Sequence, residues 1–176
     1  MKKLHPFLSL LLIIISCSKP IDEESLVERN GVYYKVNSET PYSGKSFILH
    51  DNGQIYYERS FKEGKQFGLE TLWYKSGQKR EEGNWNENGK QDGLYTIWYK
   101  NGQKKSEVIF KDGERRSETN WYKNGQKLSQ WSSMSGSIDV LETNWYENGK
   151  KKYEKTFKDG KQVSFKKWNE DGSVKE

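Results

Sequence analysis

The chain has 176 residues, 32% hydrophobic and 31% charged, and its 30 basic against 25 acidic residues give a formal charge of +5. That excess is mild, and Lys and Glu are interspersed, which argues against a basic nucleic-acid-binding stripe. A single cysteine, Cys17, rules out an intrachain disulfide or a cysteine-based metal site.

At the N-terminus, "MKKLHPFLSLLLIIISC" pairs a basic start with an apolar run from Phe7 to Ile15. The run fits the core of a signal peptide and is far short of the ~20 residues needed to span a bilayer. Its end, Ile14-Ile15-Ser16-Cys17, resembles a bacterial lipobox. That resemblance implies a signal peptide over residues 1–16, cleavage before Cys17, and lipid attachment at Cys17. Several acyl chains anchor a protein stably, since each buried CH₂ contributes ~0.8 kcal/mol. Residues 17–28 read as the acylated cysteine and a flexible polar tether. Ser18 after Cys17 carries no inner-membrane retention signal of the Asp type, and Asp22-Glu23-Glu24 loosely resembles an acidic surface-export signal. The expected location is the bacterial cell envelope, lipid-anchored at the outer membrane.

From residue 29 onward the chain repeats itself. "WYKNGQK" stands at Trp98–Lys104 and again at Trp121–Lys127, with near-copies from Trp73 and Trp145. The glycine of this motif recurs at Gly53, Gly77, Gly102, Gly125, Gly149 and Gly172, in steps of 24, 25, 23, 24 and 23 residues. A second series, Gly64, Gly89, Gly113, Gly136 and Gly160, falls between them. Turns therefore alternate about every twelve residues. Short strands between Asn-Gly or Asp-Gly turns predict an antiparallel meander of hairpins. The absence of alanine counts against helix, and the absence of proline after Pro41 suits ladder-forming strands. The predicted fold is all-β: an elongated antiparallel hairpin-repeat sheet of about ten to twelve short strands, in about six repeats of roughly 24 residues over 29–176.

Alternate residues of a strand share a face, so Leu94, Thr96 and Trp98 belong together. A two-residue loop, Asn101-Gly102, sets Lys105, Glu107 and Ile109 opposite them. A three-residue loop, Lys100 to Gly102, sets Lys104, Ser106, Val108 and Phe110 there instead. Along the chain the three-residue choice adds Ile55 and a run of aromatics to the Trp face: Tyr57 and Phe61, then Trp85, Phe110, Trp131, Tyr153 and Phe157. A one-residue slip turns every side chain over. The expectation is a three-residue type I turn with glycine in the left-handed region, an aromatic Trp face, and a mixed polar face carrying Tyr74, Tyr99, Tyr122 and Tyr146.

The units "GLETLWYKSGQKREEGNW" and "GLYTIWYKNGQKKSEVIFKDG" resemble the MORN-repeat variant, and Leu26 to Lys45 resembles the opening of bacterial lipoproteins built from such repeats. These chains are grouped with the YwqK-type antitoxin family. The resemblance runs from about Leu26 to Gly172. It implies a non-enzymatic sheet that binds a protein partner, a toxin in the antitoxin or immunity setting, with the membrane reached through the lipid anchor. Candidate partner-binding aromatics are Trp73, Trp98, Trp121, Trp145, Tyr74, Tyr99, Tyr122 and Tyr146; the glycines of both series are structural. Leu49-His50 stands for Trp-Tyr in the first copy, Asn169 replaces Tyr in the last, and Trp131 to Ser137 lacks the usual turn. No cofactor or metal is expected. The histidines are His5 and His50, so the mature chain offers catalysis only one imidazole. The rival readings are a cell-wall glycan-binding repeat protein, because Trp and Tyr rings can cradle sugars, and a membrane-surface-binding one. The residues leave the oligomeric state open.

Overall fold

The structure is a computed structural model that describes residues 19–133 and 139–176. The expected signal peptide, Cys17 and Gly136 lie outside the described residues. Fourteen strands occur in the described part: β1 (Ile21–Asp22), β2 (Leu26–Arg29), β3 (Val32–Lys35), β4 (Gly44–Leu49) and β5 (Ile55–Lys62) lead the chain. They are followed by β6 (Lys65–Trp73), β7 (Lys79–Trp85), β8 (Gly93–Trp98), β9 (Lys104–Lys111) and β10 (Glu114–Trp121). The last four are β11 (Lys127–Ser133), β12 (Val140–Trp145), β13 (Lys151–Lys158) and β14 (Lys161–Lys167). Twelve of them form one sheet in the order β1-β4-β5-β6-β7-β8-β9-β10-β11-β12-β13-β14, and β2-β3 is a separate hairpin. From β4 to β14 every neighbour pair is antiparallel, the expected meander. With strands ~4.8 Å apart, one two-stranded repeat advances about 10 Å along the sheet.

The two edges of the sheet use different turns. On the heptapeptide edge the Gly102 amide donates to the Tyr99 carbonyl at 2.9 Å, and the Tyr99 amide donates to the Gln103 carbonyl at 2.8 Å. Gly102 sits at φ +83. This is the three-residue loop expected above, and the turns at Gly53, Gly77, Gly125, Gly149 and Gly172 repeat it. The opposite edge is built mainly from two-residue turns. Asp112-Gly113, at φ 52 and 84, has positive φ at both positions, as a type I′ hairpin requires. Glu63-Gly64 and Asp159-Gly160 share that geometry.

The loop is as expected, but the faces are not. At each heptapeptide the return strand carries one extra residue opposite the tryptophan. Trp98 pairs with Lys104 and Ile97 with Ser106, leaving Lys105 as a bulge. The bulge cancels the third loop residue, so Thr96 faces Glu107 and Leu94 faces Ile109. The same shift separates Leu72 from Trp73, Asn120 from Trp121 and Asn144 from Trp145. Phe110, Trp85, Trp131, Tyr153, Phe157, Tyr57 and Phe61 consequently leave the Trp face. Phe110 meets Tyr95 edge-on, with ring centroids 6.2 Å apart, and Trp85 pairs with Gly68. Only Ile55, paired with Leu49, stays on the Trp face as expected. We call the side with Trp73, Trp98, Trp121 and Trp145 the Trp face, and the side with Tyr57, Tyr95, Trp131 and Tyr153 the Tyr/Glu face.

Most of the sheet is a single layer, so neither face has a second sheet to bury it. Tyr42, Phe61 and Val108 are the buried apolar side chains in the described part. Two of them belong to one N-terminal cluster, where Phe61 lies 5.0 Å from Tyr33 and 5.7 Å from Tyr42, centroid to centroid. The hairpin β2–β3 is held there by the Tyr33 amide donating to the Gly64 carbonyl at 2.8 Å.

Residues 21–28, placed in a flexible tether by their polar composition, carry ordered structure. Ile21 and Asp22 run parallel to Ser46 and Phe47. Asp22 caps the single turn Glu23–Ser25 by accepting from the Glu24 amide. Glu23, in the run likened to an export signal, pairs with Arg59 and accepts from Ser46 Oγ at 2.9 Å. Arg59 also stacks on Phe61, 4.8 Å from its ring centroid. A carboxylate that can neutralise a half-buried guanidinium is drawn into the fold, which composition alone does not reveal.

Candidate functional site

Four letters of the heptapeptide, the Tyr, Asn, Gln and final Lys, reach the next copy. The Tyr74 hydroxyl donates to the Trp98 carbonyl at 2.7 Å, Tyr99 to that of Trp121 at 2.8 Å, Tyr122 to that of Trp145 at 3.1 Å and Tyr146 to that of Trp168 at 3.0 Å. His50, standing where a tyrosine is usual, reaches the Trp73 carbonyl at 3.0 Å through Nε2. The tyrosine row is therefore bonded to backbone, which occupies the polar end of every ring. The turn asparagines act in two directions. Asn101 Oδ1 accepts from the Gln103 amide at 3.1 Å, and Asn101 Nδ2 donates to the Lys123 carbonyl of the next turn at 3.0 Å. Asn124 and Asn148 repeat that pattern. The glutamine then covers the next glycine: a Cβ on Gly125 would meet the Gln103 amide at 3.5 Å, and one on Gly149 would meet Gln126 Oε1 at 2.9 Å.

The final lysine crosses the Trp face. Lys79 Nζ sits 6.0 Å from the Trp98 ring centroid, Lys104 5.9 Å from Trp121, Lys127 5.5 Å from Trp145 and Lys151 5.5 Å from Trp168. Lys79, Lys104 and Lys151 also pair with Glu82, Glu107 and Glu154, three residues on; Lys127 donates to Gln130 at 3.0 Å. These lysines are thus interleaved with the tryptophans. An indole already holding an ammonium presents less of its π-face to a ligand. Sequence reasoning missed these roles of the Gln, the Lys and the later Glu. The signal for them was the recurrence of Lys-x-x-Glu after the turn.

The Tyr/Glu face carries a second series. Tyr57 OH donates to Glu70 at 3.0 Å, Tyr95 OH to Glu81, Trp131 Nε1 to Glu118 at 3.2 Å and Tyr153 OH to Glu142 at 2.6 Å. The bond to Glu142, with burial behind it, raises the Tyr153 hydroxyl to about 12. Tyr57 and Tyr95 are raised further, by burial first and then by Glu70 and Glu81. Each phenol is kept as a proton donor to its carboxylate.

An exposed apolar row runs along the other margin of the Trp face. Leu69 is 41% exposed, Leu94 52% and Ile109 49%; Leu94 and Ile109 are direct cross-strand partners, while Leu69 pairs with Asn84 on the strand between β6 and β8. The structure thus separates the predicted aromatics, largely committed to holding repeats together, from an apolar surface that the sequence reading did not single out. In the described part, no group of three or more His, Cys, Asp or Glu side chains is placed to hold a metal ion.

Among curated proteins, none matches the chain at a significant level. Residues 91–112 and 138–159 match a known repeat family. These segments hold the hairpins β8–β9 and β12–β13, with the Gly102 and Gly149 turns at their centres. The family they match is the MORN repeat variant.

Proposed function

We propose that this protein is a lipid-anchored, non-enzymatic envelope protein whose repeat sheet binds a partner protein, in the manner of an antitoxin or immunity protein. The observation that carries the reading is the exposed row Leu69, Leu94 and Ile109 on a sheet without a second layer. Leu94 and Ile109 adjoin, and Leu69 lies on the same face beyond Asn84; exposed apolar side chains gathered on one face mark interaction sites, and the lipobox resemblance at Cys17 supports attachment to a membrane. Protein contact is favoured over glycan stacking on the Trp row, because the lysines already lie over those rings. The test is a crosslinked pull-down from envelope with the anchored chain, alongside a Leu94→Lys/Ile109→Lys form. A specific protein should be recovered with the native surface and lost with the charged one. Equal recovery by both forms, or no specific protein, rejects the reading.

A further inference from the structure

The Tyr/Glu face changes character halfway along the sheet. The residue before each Trp-face anchor points to this side. It is aliphatic in the first three copies: Ile48 before Leu49, Leu72 before Trp73, Ile97 before Trp98. It becomes an amide in the next two, Asn120 before Trp121 and Asn144 before Trp145. Asn120 pairs across the ladder with Ser129, which pairs in turn with Asn144, and Asn144 pairs with Tyr153. An aliphatic row has given way to amides and hydroxyls. In the earlier half Tyr95 lies directly on Gly83, where an added Cβ would stand 2.3 Å from the ring. In the later half a depression of about 320 Å³ opens instead, lined by Ser129, Trp131, Val140, Glu142, Asn144 and Tyr153.

The polar groups around this depression are organised. Trp131 Nε1 and Asn120 Nδ2 donate to Glu118 at 3.2 and 3.1 Å, and Asn120 Nδ2 also donates to Ser129 Oγ at 3.1 Å. Asn144 Nδ2 and Tyr153 OH donate to Glu142 at 3.3 and 2.6 Å. Both carboxylates are already balanced by cations, Glu118 by Arg115 at 2.9 Å and Glu142 by Lys155 at 3.7 Å. That balance removes the attraction for a charged ligand. The capacity left over is neutral and mixed: the amide oxygen of Asn144 accepts, and the Ser129 hydroxyl proton donates. The Trp131 ring borders it, beside a Tyr153 ring that already holds the Lys155 ammonium 4.7 Å from its centroid, and its volume sits at the small end of the ~300–1,000 Å³ range of ligand pockets.

We propose that this depression binds a neutral saccharide of one or two rings. An apolar C–H face of the sugar packs on Trp131, and its hydroxyls exchange hydrogen bonds with Asn144, Ser129 and Glu142. A sugar combines those two surfaces, which neither an apolar nor an ionic ligand does. The site lies on the opposite face from Leu94 and Ile109, so it stands independently of the protein-partner reading.

The test is calorimetric titration of the full chain, in a detergent without a sugar headgroup, with cellobiose, maltose and N,N′-diacetylchitobiose. Spectra of ¹⁵N-tryptophan-labelled chain, with the Trp131 signal identified through Trp131→Phe, report where binding occurs. At least one of these disaccharides should bind and shift the Trp131 indole signal. Affinity should fall at least tenfold in Trp131→Ala and in Asn144→Leu, and stay within twofold in Trp98→Phe. Asn144→Leu installs the residue that Leu72 already supplies at the equivalent position, so it keeps the fold. Three outcomes overturn the proposal: no binding by any of the three sugars, binding that survives both Trp131→Ala and Asn144→Leu, or displacement of the sugar by tetramethylammonium.

Discussion

Tyr57, Tyr95 and Tyr153 show how single side chains tie the Tyr/Glu face together. Each phenol donates to a glutamate on a neighbouring strand, and each is harder to ionise in the folded chain than in water. An unfolded tyrosine titrates near pH 10, whereas Tyr153 in the fold titrates at about 12. Between those values the unfolded chain has released the proton and the folded chain has not. Stability from this group is full below about pH 10 and declines up to the folded pKa. Tyr57 and Tyr95 extend the decline to higher pH. Denaturant midpoints should therefore drop from about pH 9 to about pH 11.5. The Tyr57→Phe/Tyr95→Phe/Tyr153→Phe form should start lower, having lost three hydrogen bonds, and drop less. An equal drop in both forms would place the alkaline sensitivity elsewhere.

At the scale of the hairpin, the heptapeptide is an adhesive between neighbours more than a ligand signature. Tyr, Asn, Gln and Lys each reach the following copy, so one repeat's turn is completed by the turn after it. The Lys104–Trp121 contact, at 5.9 Å, lies in the middle of this array. A double-mutant cycle with Lys104→Met and Trp121→Leu should give a coupling of about 0.5–1 kcal/mol. Chemical denaturation of the four proteins measures it. Additive losses would show that the ammonium and the indole are merely neighbours.

For the molecule as a whole, the consequence is nearest-neighbour stability. Apart from the N-terminal cluster of Tyr33, Tyr42, Arg59 and Phe61, contacts link adjacent strands and adjacent turns. Such arrays behave as sums of repeat and interface contributions. Excising residues 99–121 joins Trp98 directly to Tyr122 and restores a complete "WYKNGQ". The shortened chain should fold with the same strand content per residue by circular dichroism and a lower unfolding midpoint. Loss of the strand signal would mean that the sheet depends on long-range packing absent from the ladder.

The sequence by itself determined the period, the turns and the antiparallel order of the sheet. Those are local matters: glycine at positive φ, asparagine before it, and strands too short to do anything but pair with the next one. It could not determine which residues share a face. The three-residue loop was legible in "WYKNGQK", but the bulge at each tryptophan was not, because Lys105 or Lys152 carries no mark of being the extra residue. One unmarked residue per hairpin turned Phe110, Trp131 and Tyr153 to the other side. Composition also hid the fate of Glu23, whose place is decided by Arg59, 36 positions away. Only the tertiary structure shows the apolar row Leu69–Leu94–Ile109 and the depression between Trp131 and Tyr153, since both are made of residues brought together across strands by a register that the bulges set.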